Sequence, residues 1–236
     1  LTQWETPIFE RVVYKIDVKL LIKRGFLCPV VSNGGGVKID VSKVKHKGGE
    51  FLDSALESLY MSKTVEIVAD IVKKGIDRKA WLIFCVSIEH AEQVTAELIS
   101  HGINAACYHS QNNNEYLLDD FANGRLRCLV NVNILTTGSN FPIADMCVLI
   151  RATESTALYV QIVGRVMRLY PDKRNALLLD YGGNVMRHGC IDDVTVKAKG
   201  EGTGEAPSKQ CPSCDNILHA AVRECPECGY IFEREP

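Results

Sequence analysis

The segment with the clearest capacity for chemistry is residues 161–168, which read QIVGRVMR. Four of its residues fall at offsets of zero, three, four and seven and so share one helical face: Gln161, Gly164, Arg165 and Arg168. Arginine carries a permanent charge and a planar fork of donors that suits phosphate oxygens. An interior glycine costs a helix roughly 1 kcal/mol relative to alanine, which a merely solvated face does not explain. The pattern predicts a phosphate-binding face, with a solvated polar face as the alternative.

A second polar segment, residues 133–142, follows an apolar run that is predicted to be a strand. It reads NILTTGSNFP. Hydroxyl groups and free backbone N–H groups in a loop after a strand suit the oxygens of phosphates or sugars. An ordinary polar turn is an equally good interpretation of this segment alone.

Four cysteines near the C-terminus form two C-x-x-C pairs separated by ten residues: Cys211, Cys214, Cys225 and Cys228. This spacing brings four thiolates around one tetrahedral Zn²⁺. A segment of this length cannot build its own core, so metal binding would supply its folding free energy. We therefore predict one structural zinc ion in a small ribbon, with a redox pair or disulfides as the alternatives.

The segments that must position these residues alternate between apolar runs and amphipathic stretches from Trp81 to Tyr181. Such alternation predicts an α/β fold with a parallel sheet and helices on both of its faces. The predicted strands are residues 81–86, 103–108, 126–132, 146–150 and 176–179. The predicted helices between them begin after Ser87, span 116–121, and contain 161–168, whose apolar side is formed by Leu158, Ile162, Val166 and Leu169.

The remaining segments suggest how the chain is organised. Helical spacing is present over residues 53–74 and 18–23, whereas residues 32–36 and 42–49 are predicted to be connections. We predict an N-terminal linker region at 1–50, the main α/β domain at 51–190, a flexible linker at 191–209 and the zinc ribbon at 210–236.

Composition limits the possible functions. The formal net charge of the 236 residues is −2, so nucleic-acid binding has to depend on local basic groups. No apolar run approaches the roughly 18 residues that span a membrane, and no membrane partner is predicted. Six of the ten cysteines are scattered, and Cys85, Cys128 and Cys147 lie in apolar runs. This distribution predicts a reducing, cytoplasmic location.

In combination, these segments resemble a known family. The strand, the TTGSNFP loop, the next strand and QIVGRVMR are similar in order to motifs V and VI of superfamily-two helicases, in their second RecA-like domain. Residues 82–87, LIFCVS, resemble motif IV, and residues 108–111 and 121–124 resemble the segment after it in DEAD-box relatives. Within the superfamily the chain looks most like the RadD-like bacterial DNA-repair helicases, over residues 8–190 and 210–232. Residues 8–29 resemble the exit from the first RecA-like domain of those proteins, which implies that residues 1–50 comprise this exit and a linker.

The resemblance implies a role for each matching residue. ATP and Mg²⁺ would be shared with an N-terminal RecA-like domain of the same protein. Arg165 and Arg168 would be arginine fingers for the γ-phosphate, and Gln161 would contact that phosphate or the attacking water. The implied nucleotide contacts are Gly138, Asn140 and Gly164, and the implied nucleic-acid contacts are Ser87, His109 and Thr136.

The chain departs from the family pattern in motif V. The family usually has Gly-x-Asp there, and this chain has Gly138, Ser139 and Asn140. Asparagine keeps a hydrogen-bond acceptor but loses the carboxylate charge. We therefore predict reduced or altered coupling to ATP.

The sequence contains neither a G-x-x-x-x-G-K-[ST] phosphate loop nor a D-E-x-H box. We therefore predict that this chain alone does not hydrolyse ATP. It would be the C-terminal half of an ATP-dependent DNA helicase or translocase, whose ribbon holds a DNA fork or a repair protein. The alternatives are a nucleic-acid-binding module without a catalytic role and the motor part of a restriction-modification translocase.

Overall fold

The computed structural model describes residues 16–42, 44–132, 135, 140–192 and 208–233. Its strands, in chain order, are β1 (Val30–Asn33), β2 (His46–Lys47), β3 (Glu50–Phe51), β4 (Trp81–Cys85), β5 (Ala105–Tyr108), β6 (Cys128–Asn131), β7 (Met146–Ile150), β8 (Ala176–Asp180), β9 (Ser208–Gln210) and β10 (Asn216–His219). The helices are α1 (Val18–Lys23), α2 (Asp53–Met61), α3 (Thr64–Lys74), α4 (Ile88–Ser100), α5 (Glu115–Ala122), α6 (Thr156–Val163) and α7 (Asn184–His188).

Eight of the strands form one sheet in the order β5-β6-β4-β7-β8-β1-β10-β9. The six strands from β5 to β1 run parallel, whereas β10 and β9 are antiparallel to their neighbours. Parallel neighbours need crossover connections, and the helices supply them. The predicted parallel α/β sheet is thereby confirmed, and each of its five predicted strands is present.

The sheet has an apolar core on each face. Every residue of β4 is buried, and its side chains alternate between the two cores. Trp81, Ile83 and Cys85 pack with α2, α3 and α4, whereas Leu82 and Phe84 pack with α5 and α6. A strand covered on both faces has a continuous apolar sequence, as WLIFC does. The prediction of helices on both faces is confirmed.

Local caps mark both ends of α4, which begins after Ser87 as predicted. The Ser87 hydroxyl accepts a hydrogen bond from the His90 N–H at 3.2 Å and so caps α4. Gly102 follows the end of that helix with φ +77°. Among the described residues, no helix is long and apolar enough to cross a membrane.

The single helix predicted over residues 53–74 is wrong, because two helices occupy this range. α2 ends at Met61, and α3 begins at Thr64 after Lys63, whose ψ of 5° departs from helical geometry. The Ser62 hydroxyl donates to the Leu59 carbonyl at 2.8 Å. Such local side-chain bonds compete with continuation of a helix.

The two predicted connections contain strands. Ser32 and Asn33 belong to β1, which pairs with β8 on one side and β10 on the other. Residues 42–49 include β2, which forms a hairpin with β3 through Gly48 and Gly49, both with positive φ. Both predictions were wrong because short polar strands are defined by their pairing partners and carry little apolar periodicity.

The boundary predicted between linker and ribbon also needs correction. Residues 193–207 of the predicted linker lie outside the described part of the chain. Ser208 and Lys209, its last two residues, form β9, which pairs with β10. β10 pairs in turn with β1, so the ribbon continues the main sheet.

Candidate functional site

The arginine pair lies just beyond the end of α6. The helix ends at Val163, and Gly164 is its C-cap. The N–H groups of Arg165 and Val166 donate to the carbonyls three residues earlier, each at 3.1 Å. The prediction of one helix through residues 161–168 is therefore wrong after Val163, since tight i→i−3 turns continue the segment.

Steric contacts explain part of this segment without a ligand. A Cβ at Gly164 would lie 2.9 Å from the Val160 carbonyl oxygen, so the chain needs a glycine here for local reasons. Ile162 and Val166 are buried as predicted. The prediction that Leu169 packs in the core is wrong: it is 53% exposed, because the turns after α6 rotate it away from the apolar stripe.

The two guanidinium groups lie close enough to influence each other. Arg165 is partly buried and Arg168 is exposed. Burial lowers the pKa of Arg165, and the neighbouring positive charge of Arg168 lowers it further. Gln161 is exposed on the last turn of α6. Within the described part of the chain, no carboxylate forms an ion pair with Arg168. An anion bound between the two arginines would relieve their repulsion.

The loop that resembles motif V is described only in part. Gly138 and Thr136 lie outside the described residues. Asn140 is exposed, and the next residue, Phe141, is buried with its ring edge-on to Phe121 at 5.2 Å. The chain after Asn140 is therefore anchored in the core.

The two described residues of the predicted nucleic-acid site already have protein partners. The Ser87 hydroxyl donates to the Glu57 carboxylate while it caps α4. The His109 side chain is 4% exposed, with its Nε2 3.6 Å from Glu92 Oε1. Its Nδ1 accepts a hydrogen bond from the Gln111 N–H at 3.3 Å. Neither side chain points freely into solvent.

A buried carboxylate at the C-terminal end of β8 organises the loop that leads into α7 and, through Asn184, the loop that leads into α6. Asp180 accepts hydrogen bonds from the N–H groups of Gly182 (3.1 Å) and Val185 (2.7 Å) and from Asn184 Nδ2 (2.8 Å). Burial raises its pKa, and these bonds oppose the rise. Asn184 Oδ1 in turn accepts from the Thr153 N–H at 2.9 Å. The only sequence signal for this role is an acidic residue that ends the apolar run ALLLD.

The four clustered cysteines are brought together as predicted. Their sulfur atoms all lie within 4.8 Å of one another. The Cys211–Cys228 and Cys214–Cys225 sulfur pairs are 3.6 and 3.7 Å apart. A tetrahedral zinc ion with bonds of about 2.3 Å needs sulfur separations of roughly 3.8 Å. The geometry and the donor set fit Zn²⁺, and the distances are far too long for disulfides.

The protonation of these thiols differs within the cluster. A hydrogen bond from the Tyr230 N–H lowers the pKa of Cys228 to about 7. Burial raises the pKa of Cys214 to about 12.

A polar joint, which no local pattern of residues indicates, connects the ribbon to the main sheet. Asn33 Nδ2 donates to the Cys214 carbonyl at 2.8 Å, and Asn33 Oδ1 accepts from Lys74 Nζ at 2.8 Å. Lys74 also contacts the carboxylates of Asp215 (3.3 Å) and Asp70 (3.5 Å). The joint therefore links β1, α3 and the first metal-binding turn.

Comparison with known proteins agrees with this geometry. The family profile "Helicase conserved C-terminal domain" matches residues 63–170, and "Uncharacterised protein family UPF0547" matches residues 209–234, which include all four cysteines. A 51.5 kDa protein of Lactococcus phage (isolate 7-9) is 28% identical over 211 residues, covering 84% of this chain and 46% of the phage protein.

A yeast protein and a solved structure extend the comparison. A Saccharomyces cerevisiae protein named ATP-dependent helicase IRC3 is 27% identical over 185 residues, covering 75% of this chain and 27% of the yeast protein. A fragment assigned as an HsdR subunit of a type I restriction enzyme from Vibrio vulnificus YJ016 superposes with a TM-score of 0.63 at 25% identity. That match covers 79% of this chain and 38% of the fragment. The chain thus spans less than half the length of each of these curated relatives. Residues 63–170 therefore match a helicase conserved C-terminal domain, and the chain is similar to a yeast protein named as an ATP-dependent helicase.

Proposed function

We propose that this chain is the C-terminal half of a DNA helicase or translocase, whose ATP and Mg²⁺ lie between it and a first RecA-like domain of the same protein. The observation that carries this proposal is the pair Arg165 and Arg168, whose positive charges lie close together just beyond α6. Two neighbouring guanidinium groups, of which Arg168 is exposed and Arg165 is half-buried, offer the permanent charge and the forked donors that suit a polyphosphate.

In this proposal each residue acts on the nucleotide in a defined way. Arg165 and Arg168 stabilise the negative charge that develops on the transferred phosphoryl group, an effect on the order of 10³–10⁵ in rate in other NTPases. Gln161 orients the attacking water, and Gly138 and Asn140 contact the nucleotide from motif V. Gly164 lets the chain turn sharply, so that both arginines reach the same side. Domain closure on ATP, and reopening after hydrolysis, would move the bound strand.

The test is DNA-stimulated ATPase activity of the full-length protein. Arg165→Ala is expected to lower kcat by at least about 10³-fold, as for other arginine fingers. Arg125→Ala is the matched control, because Arg125 is exposed and pairs only with Asp120 among the described residues. Normal ATPase activity in the Arg165 variant would refute the proposal.

The path of the strand is proposed to pass Ser87, His109 and Thr136. The Ser87 hydroxyl now bonds to Glu57, and a carboxylate repels a phosphate placed at the same hydroxyl. Glu57→Gln is therefore expected to tighten binding of single-stranded DNA at fixed salt, and Ser87→Ala to weaken it. Equal affinities in both variants and the parent protein would exclude Ser87 from the path.

A restriction-enzyme translocase is the second candidate, and the structural match to the HsdR fragment favours it. A translocase moves along duplex DNA without separating its strands. Displacement of a triplex-forming strand without release of single strands would identify a translocase, and release of single strands would identify a helicase.

The ribbon is proposed to hold one structural Zn²⁺ through Cys211, Cys214, Cys225 and Cys228 and to present a surface to a DNA fork or a repair protein. The cytoplasmic location predicted from the cysteines stays a prediction. Stoichiometric zinc in the purified protein, lost in Cys211→Ser, would support the metal site.

A further inference from the structure

Lys173 lies in the loop that joins residues 165–168, here called the arginine segment, to β8. Its side chain makes an unusual set of contacts. Its ammonium nitrogen lies within hydrogen-bond distance of four backbone carbonyl oxygens. Two belong to the arginine segment, Val166 at 2.7 Å and Arg168 at 2.9 Å. Of the other two, Pro142 at 3.3 Å is the last residue of the loop that resembles motif V, and Ala144 at 2.6 Å follows that loop. One side chain thus joins the segments of two predicted nucleotide-binding motifs.

These contacts matter because the arginine segment has left its helix. Carbonyl groups beyond a helix end lack helical partners and need others. Val166 and Arg168 find theirs in Lys173, and the carbonyl of Met167 between them accepts from the Cys28 N–H at 2.7 Å. The carbonyls of three consecutive residues, 166–168, are therefore held by Lys173 and Cys28. This fixes the backbone from which the Arg168 side chain extends and which directly follows Arg165.

The environment of Lys173 fits a fixed group. Burial lowers its pKa, and the nearby Asp145 carboxylate opposes the shift. An ammonium group carries three N–H donors, so four carbonyls more than saturate it. The turn of its own loop is closed by the bond from the Lys173 N–H to the Tyr170 carbonyl at 3.2 Å.

We propose that Lys173 is a positioning residue, which holds the backbone of residues 166–168 against the segment after motif V so that Arg165 and Arg168 reach the nucleotide together. The inference rests on the proposed function and adds a residue to its machinery. Lys173 has no free donor for a phosphate, so it acts only through the arginines. A displacement of about 1 Å in a catalytic group costs on the order of 100-fold in rate.

The test is the DNA-stimulated ATPase activity of full-length Lys173→Met and Lys173→Gln. Methionine nearly keeps the length of the side chain and has no donor, and glutamine keeps the two N–H donors of an uncharged amide on a shorter side chain. We expect kcat to fall roughly 10- to 100-fold while the KM for ATP changes little. Lys63→Met is the matched control, since Lys63 is exposed and bonds only to the Glu66 carboxylate among the described residues.

A double-mutant cycle separates positioning from general stability. In an Arg165→Ala/Arg168→Ala background, Lys173→Met is expected to cause no further loss of kcat, because it acts through the two absent arginines. An equal loss in both backgrounds would overturn the inference, and so would a kcat within twofold of the parent protein in either folded Lys173 variant. Failure of both variants to fold would assign Lys173 a purely structural role and overturn it as well. If Arg165→Ala itself leaves ATPase activity unchanged, the proposed function fails instead.

Discussion

Substitution of Asn33 tests whether the ribbon is energetically part of the main domain. The Asn33 side chain accepts from Lys74 Nζ (2.8 Å) and the Gly35 N–H (3.0 Å), and it donates to the Cys214 carbonyl (2.8 Å). The strand pairing that it reinforces is short, because β10 meets β1 through only two residue pairs. Asn33→Ala removes all three bonds without changing a metal ligand.

The expected magnitude follows from these bonds. A neutral hydrogen bond contributes about 1 kcal/mol and one to a charged group about 1.5–3 kcal/mol. All three are only partly buried, so water replaces much of the loss, and Lys74 keeps its contacts to Asp70 and Asp215. We expect the free energy of unfolding to fall by about 2 kcal/mol. Zinc binding and formation of the joint stabilise each other, because coupled equilibria are reciprocal. The zinc affinity of Asn33→Ala should therefore fall roughly tenfold.

The assays are denaturant unfolding and competition for zinc with a chromophoric chelator. Asn123→Ala is the matched control, because among the described residues the Asn123 amide donates only to the exposed Asp119 carbonyl four residues earlier. If Asn33→Ala unfolds and binds zinc like the parent protein, the ribbon is merely tethered, and the reasoning from the joint is refuted.

Three further predictions concern packing, pH and metal. Gly35 has a φ of +70°, and a Cβ at this position would lie 2.4 Å from the Tyr181 ring. Gly35→Ala should therefore lower the free energy of unfolding by about 3 kcal/mol. Gly25→Ala, with φ +73° and open space, should cost clearly less, and equal unfolding midpoints would contradict this. Burial lowers the pKa of His90 to about 4. Between about pH 6.5 and pH 4, His90 is therefore protonated in the unfolded chain and neutral in the folded chain. As the pH is lowered through this range, the free energy of unfolding should fall by about 1.4 kcal/mol per pH unit. His90→Phe should remove this slope, and an unchanged slope measured by urea unfolding would exclude His90 as its source. Zinc chelation should abolish hydrogen-exchange protection in residues 208–233 and weaken it in β1, while β4 stays protected; unchanged protection in the ribbon would refute the metal site.

Much of the fold was predictable because its strands are covered on both faces. A buried parallel strand has to be apolar along its whole length. A continuous apolar run such as residues 81–85 can therefore be recognised as a strand from the sequence. The cysteine spacing predicted the metal cluster for a similar reason, since two short turns hold their ligands almost independently of the rest of the chain.

The candidate nucleotide site was only partly predictable. The residue types in 161–168 indicated phosphate chemistry, but helical periodicity extended the helix beyond its end at Val163. Two contacts explain why the helix ends there. A Cβ at Gly164 would clash with the Val160 carbonyl, and Lys173 binds four backbone carbonyls around the segment that follows. Both effects depend on distances between atoms in the folded chain, and neither changes the helical spacing of apolar residues in the sequence.

The sequence by itself determined the parallel sheet, its two covered faces, the resemblance of its motifs and the four metal-ligand candidates, because local spacing and continuous apolar runs encode each of them. Only the tertiary structure decided that residues 30–33 form a strand, that the ribbon extends the sheet, and that Lys173 fixes the arginine segment. Those features depend on partners far apart in the chain: Asn33 and Cys214, for example, are separated by 181 positions. No local pattern records a partner at that distance, so the folded chain alone brings it into contact.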